Sequence, residues 1–288
     1  MIGQHPQMYG LPEVNLFAGD TYADLEEHVY SMRPGFRHGL LRAVAQLGLG
    51  GQNPDTIEAA RGWLEENRGV STSELFDDLT AWAAPRRLVD KSPLYAYSAE
   101  ALARMDAACP DAHYLHLTRH PRGTCESVLR MRADIRERQE RGRFAKRAQA
   151  LQPDQRVVAD LEDPASLWLK PQEHILAFLE RVPAERQRRV RGEDFMGDPD
   201  RHLRPLCEWL GVSAESGDLE AMKHPEESPF ATLGPRNALF GNDPSFLRSP
   251  HLRKYTPKPM SLEGPLAGGD GACLDEAVVQ CARRLGYS

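Results

Sequence analysis

The chain has 288 residues, 41% of them hydrophobic, and a formal net charge of −6. That length and apolar content suffice for one large domain with a sizeable core, while the acidic balance argues against a general affinity for nucleic acid or anionic membranes. No apolar run approaches the roughly twenty residues of a membrane span, and the amino terminus lacks the basic-then-apolar pattern of a leader. A cytoplasmic protein with no membrane and no nucleic-acid partner is the expectation. Five cysteines, an odd count without a C-x-x-C pair, fit ordinary reduced thiols.

In chain order, the chain opens on a turn, GQHPQMYGLPEVNLF. Residues 22–83 carry apolar positions at helical spacing, such as Leu40, Leu41, Val44 and Leu47. Ser71 or Thr72 is placed to cap the helix that holds Leu75, Phe76 and Leu79. A short strand, Arg87–Val89, then ends on Asp90, Lys91 and Ser92, and a helix over 97–107 leads into a strand over 112–118. That strand delivers Arg119 at its carboxyl end, and Pro121 suits the first turn of the helix that follows, where its missing N–H had no partner.

Residues 130–147 carry eight Lys or Arg against three acids. This is a solvated helix face or a dock for an acidic partner such as a carrier protein. Residues 152–164 read as a mobile loop before a helix over 167–179. The segment RVRGEDFMGDP reads as a strand ending in Glu193 and Asp194, and Leu203, Leu206 and Leu210 form one apolar helix stripe. From 213 to 271 the chain is rich in Pro, Gly and polar residues, the pattern of a lid or binding loop, with Arg236, Arg248, Arg253 and Lys254 as candidate anion contacts. A structural helix over 274–285 closes the chain.

Three strands thus end in polar groups, and α/β sheets bind ligands at the carboxyl ends of their strands. At Arg119 the guanidinium, the backbone N–H groups of a helix start and the helix dipole face one spot. Ser127, eight residues after Arg119 and under two turns into the helix, can look back toward the same anion. A bound phosphate is the sharp reading, and a solvated strand end the plain one. Cys125 beside it reads as a buried structural thiol. His113 and His116 fall on opposite faces of a strand, His120 is near enough to hydrogen-bond the anion, and no histidine or cysteine spacing matches a zinc site, so no metal is expected.

Taken in order, Asp90-Lys91-Ser92-Pro93, Arg119-His120-Pro121 with Ser127, Arg191-Gly192-Glu193-Asp194, Asp198-Pro199 and Leu210-Gly211 resemble the motif set of sulfotransferases that use 3'-phosphoadenosine 5'-phosphosulfate. The resemblance covers residues 3 to about 211. It implies an α/β, P-loop-NTPase-like three-layer fold with a central parallel sheet. It also implies one sulfotransferase-like domain over 1–288, with a helical insert over 20–85 and a loop-rich lid over 213–271. Arg119 and Ser127 inherit the binding of the donor's 3'-phosphate. Glu13, eight residues after His5, resembles the catalytic glutamate of tyrosylprotein sulfotransferases and is the candidate base, or it braces the turn after Pro12. Lys91 stabilises charge on the transferring group, or pairs structurally with Asp90.

The opening and DKSPLYA resemble most the sulfotransferase domains of bacterial polyketide assembly lines, where the acceptor is a hydroxyl on a carrier-bound acyl chain. The family's Pro-Arg-Ser-Gly-Thr loop for the 5'-phosphosulfate has no counterpart here, which leaves on the order of twenty residues of strand, loop and helical turn to lie upstream of Met1 or to be lost. An upstream start is the expectation. Sulfuryl transfer to a small-molecule or carrier-bound hydroxyl is the resulting reading, and a catalytically impaired nucleotide-binding module the alternative. A kinase of similar topology would need a Walker loop and magnesium ligands, and neither is visible.

Overall fold

The structure, a computed structural model, describes residues 1–140 and 163–288. Residues 141–147 of the basic segment and 152–162 of the expected loop therefore lie outside the described residues. The described chain forms two compact units: Met1–Pro110 with Asp198–Lys254, and Asp111–Gly197 with Tyr255–Ser288. The elements in chain order begin with β1 (Met8–Gly10), α1 (His38–Gly48), α2 (Pro54–Glu66), α3 (Thr72–Ala83), β2 (Arg87–Val89) and α4 (Ala99–Ala108). There follow β3 (Tyr114–Thr118), α5 (Pro121–Glu140), α6 (Pro164–Leu179), β4 (Gln187–Arg191), α7 (Gly192–Gly197), α8 (Pro199–Leu210) and α9 (Glu276–Arg284). Among the described residues no helix is long and apolar enough to cross a membrane.

In the first unit β1 pairs parallel with β2, Met8 opposite Arg87 and Gly10 opposite Val89. Sequence reading did not find β1, because three residues are too few to display the two-residue period of a strand; its partner comes from the far side of the helical region. Glycine is required at Gly3, since a Cβ there would stand 2.3 Å from the Gly10 α-carbon. Leu40, Leu41 and Val44 of α1, Ile57 and Leu64 of α2, and Leu75 and Leu79 of α3 are buried in one cluster, the core that the helical spacing predicts.

Of the two expected caps of α3, Ser71 or Thr72, the structure uses Ser71. Its hydroxyl accepts the Glu74 N–H while the Glu74 carboxylate accepts the Ser71 N–H, a reciprocal capping box. Thr72 instead donates its hydroxyl to the Gly19 carbonyl at 2.9 Å. In α8, Leu203 and Leu206 are buried and Leu210 is half-buried, and the helix stops on Gly211 in the left-handed region (φ 65°).

In the second unit β3 pairs parallel with β4, Tyr114 opposite Gln187 and Thr118 opposite Arg191. Helices α5, α6 and α9 supply the core around Cys125, Trp168, Val278 and Cys281. Burial pushes the Cys125 thiol up to about 11, so it is an inert packing group. Glu193 and Asp194, expected to end a strand, stand instead in α7, because β4 stops at Arg191 and Gly192 passes close to the Thr118 carbonyl. His116 is buried and gives its Nε2 to Gln172 at 2.9 Å, whereas His113 is exposed.

Replacing Ser71 with Ala is expected to lower stability by about 1 kcal/mol, the usual worth of an N-cap. Urea unfolding checks this, and Thr72→Ser, which keeps the hydroxyl on Gly19, provides a control.

Candidate active site

The first unit holds Glu13 and Lys91. Beyond β1 the chain stays tied to β2 by the Leu11 N–H on the Val89 carbonyl (2.9 Å). The Glu13 N–H then donates to the Gly241 carbonyl at 2.9 Å. Gly39 of α1 lies against the Glu13 carbonyl so closely that any Cβ there would collide with it. Asn15 turns the chain in the left-handed region (φ 54°), and its side-chain amide donates to the carbonyls of Glu13 (3.3 Å) and Phe36 (3.2 Å). Asparagine tolerates that conformation better than most residues.

The carboxyl end of β2 meets this segment. The Asn15 N–H donates to Ser92 Oγ (3.0 Å), Ser92 Oγ donates to Asp90 Oδ1 (2.8 Å), and the Tyr95 hydroxyl donates to Asp90 Oδ2 (2.9 Å). Burial drives the Asp90 carboxyl up to about 6, against the pull of these two hydroxyl donors. Lys91 forms an ion pair with Glu13 Oε1, and its side chain is 60% exposed against 26% for Glu13. So exposed a pair adds little stability. Its consequence is orientation: the base candidate and the lysine, separated by 78 positions in sequence, are held together, and Lys91 is not the partner of Asp90.

The second unit holds Arg119 and Ser127. Arg119 follows β3, is exposed, and has no acidic partner among the described residues. Its Nε lies 3.8 Å from where a Cβ on Gly123 would stand, so the guanidinium runs along the first turn of α5. Ser127 is four residues beyond Gly123, hence on the same helix face, and helical side chains lean toward the amino terminus. A Cβ on Gly123 would also stand 3.4 Å from the Met260 sulfur, so the arginine and the Met260 side chain share the space over that turn.

The helix start itself is less open than the sequence suggests. The His120 N–H donates to Glu193 Oε1 (2.8 Å), and the Arg122 N–H donates to His120 Nδ1 (3.2 Å). His120 is buried, which lowers its pKa, and with Nδ1 accepting it carries its proton on Nε2. It therefore braces the helix start through Nδ1 instead of offering that nitrogen to an anion. Glu193 Oε2 also accepts from the Tyr287 hydroxyl (3.2 Å), which lies 3.0 Å from Thr118 Oγ1.

Sequence reading missed Asn15, Tyr95 and Arg122. The Arg122 guanidinium donates to four carbonyls in succession, those of Ser261 (2.7 Å), Glu263 (2.6 Å), Gly264 (2.9 Å) and Pro265 (2.8 Å), and so wraps the segment after Met260 against α5. An arginine one residue past a helix-start proline was the only signal, and it does not name its partners. Arg236, Arg248, Arg253 and Lys254 are exposed in the first unit.

Residues 1–216 match the model of the sulfotransferase family. The chain belongs to that family. Its fold is similar to the sulfotransferase domain from the curacin biosynthetic pathway, at 23% identity and a TM-score of 0.68, over 100% of this chain and 91% of that one. It is likewise similar to the sulfotransferase domain from the Synechococcus PCC 7002 olefin synthase, at 25% identity and a TM-score of 0.69, over 100% of this chain and 88% of that one. Among curated proteins none matches significantly. The α/β sulfotransferase fold, with parallel strands, is therefore the fold of this family member.

Asp90 supplies a pH test of this sulfotransferase site. Its folded pKa is raised from 3.8 to about 6, so the folded state holds the proton more tightly than the unfolded one. The associated stability is complete below the lower value and is lost as pH rises through the upper one. Urea unfolding across this range should show the wild type losing stability relative to Asp90→Asn, and parallel curves would refute the assignment.

Proposed function

We propose that this sulfotransferase-family chain moves a sulfuryl group from 3'-phosphoadenosine 5'-phosphosulfate to a hydroxyl of a small-molecule or carrier-bound acceptor, without a metal. The observation that supports the donor is Arg119: an exposed guanidinium at a strand's carboxyl end, with no acidic partner among the described residues, beside Gly123 on the helix that carries Ser127. A phosphate monoester matches that combination of a fixed cation and a hydroxyl donor. We assign Arg119 and Ser127 to the 3'-phosphate.

The donor supplies an electrophilic sulfur and a phosphate leaving group. Glu13 accepts the acceptor's hydroxyl proton as the new O–S bond forms and the S–O bond to the departing phosphate breaks. Its Oε1 is paired with Lys91, and Oε2 is the oxygen that takes the proton. Once Glu13 is neutral its attraction for Lys91 falls, and the ammonium turns to the charge gathering on the transferring group. That similar domains come from the curacin biosynthetic pathway and from an olefin synthase supports an acceptor in a biosynthetic pathway.

Calorimetric titration with adenosine 3',5'-bisphosphate, against adenosine 5'-monophosphate, tests the donor assignment. Selective binding is expected, weakened at least about tenfold in Arg119→Ala; no selectivity in a folded chain would sink it. For the base, Glu13→Gln should cut kcat by about 10²–10⁴-fold while bisphosphate affinity stays at the wild-type level. Binding without turnover in the wild type would make the chain a nucleotide-binding module.

A further inference from the structure

We infer that Arg42 is a positioning residue for Glu13, acting through the loop over 232–241; the inference rests on the reading of Glu13 as the base. Arg42 stands in α1 between Leu41 and Ala43 and is fully buried. No carboxylate pairs with it among the described residues, and burial lowers its pKa to about 10, which leaves it charged at neutral pH. A buried cation without a counter-ion is a costly occupant of a position that an apolar side chain would fill. The reason for it lies in what the guanidinium holds.

Its Nε donates to Gln52 Oε1 (2.6 Å). Nη1 donates to two carbonyls, those of Thr232 (3.1 Å) and Phe240, and Nη2 donates to Thr232 Oγ1 (3.3 Å). Thr232 and Phe240 are the two ends of one loop, which the Phe240 N–H on the Leu233 carbonyl (2.7 Å) also closes. Gly234, at φ 80°, packs against the guanidinium so that a Cβ would stand 3.0 Å from Nε. The planar fork of an arginine can bridge both ends of such a loop, and the single nitrogen of a lysine cannot do so in the same geometry.

The loop ends under strain. Phe240 has φ 71°, a left-handed conformation that is an outlier for a bulky residue, and it persists only where its surroundings enforce it. Arg42 takes the Phe240 carbonyl, and His38, also in α1, donates Nδ1–H to the Leu239 carbonyl at 2.7 Å. The next residue, Gly241 (φ 74°), packs on Gly39, and its carbonyl accepts the Glu13 N–H. From the guanidinium to the main chain of Glu13 the path is thus one hydrogen bond, one peptide unit and a second hydrogen bond. Without Arg42, Phe240 relaxes out of the left-handed region, the Gly241 carbonyl turns, and Glu13 loses its anchor. Misplacement of a reacting group by about 1 Å can cost about 10² in rate.

Hydrogen exchange read by mass spectrometry, with kinetics, tests this on the full chain bearing Arg42→Met. Exchange in peptides covering 11–16 and 232–241 should quicken about tenfold or more while unfolding stays cooperative. kcat should fall about 10²-fold with bisphosphate affinity unchanged, and the loss should vanish in a Glu13→Gln background, the mark of two residues acting as one. Should Arg42→Met fail to fold, Arg42→Lys, which keeps the charge and loses the bridge, is read in the same way. Native-like exchange over 11–16 in a folded variant overturns the proposal whatever the activity. Full activity of Glu13→Gln with quickened exchange in Arg42→Met overturns the base reading instead and leaves the mechanical link standing.

Discussion

Parallel strand pairing is the constraint on which both units depend. Two parallel strands end at the same edge, so whatever follows each of them is brought together however far apart it lies in sequence. In the first unit the exits of β1 and β2 bring Glu13 to Lys91 and Asn15 to Ser92. In the second, the exits of β3 and β4 bring His120 to Glu193, and a carboxylate seals two strand ends to a helix start. Neither pairing is long, three residues in one case and five in the other. The side-chain bonds beyond the strands therefore supply much of the definition that a wider sheet would give.

Several of those bonds are made by buried or half-buried polar groups. Asp90 receives two hydroxyls, Ser92 passes its own lone pair to Asn15, and the Arg42 guanidinium distributes its donors over a loop. Buried polar networks of this sort gain less in net stability than an apolar core of the same volume, but they hold one geometry. At Glu13 that geometry concerns the main chain, fixed at its N–H by Gly241, at its carbonyl by Asn15, and closely approached by Gly39. The half-buried carboxylate is the end of a rigid mount.

Much of this was legible in the residues. Ser71 with Glu74 three positions on announces a capping box, Arg87–Val89 reads as a strand because a polar trio follows three residues of extended character, and Pro121 marks a helix start after Arg119. Each signal is local, carried by neighbours within one helical turn. β1 left no such signal, and Glu193 looked like the last residue of a strand because the stop at Arg191 depends on Gly192 passing Thr118, a long-range contact. Arg42 resembles any polar position of an amphipathic helix, and only the packed loop shows that it points inward.

By itself the sequence determined most of the helices and longer strands, the cap region of α3 and the ordered motif set that marks the family, because these rest on local backbone preference and on residue types at fixed spacing. Only the tertiary structure decided the partners: that Lys91 meets Glu13 and leaves Asp90 to Ser92 and Tyr95, that two N–H groups at the start of α5 are already taken, and that a guanidinium is buried with no carboxylate partner among the described residues. Partnership between residues far apart in sequence depends on which strand ends share an edge and on which carbonyls a loop turns inward. Those are properties of the assembled chain, and no local stretch of it encodes them.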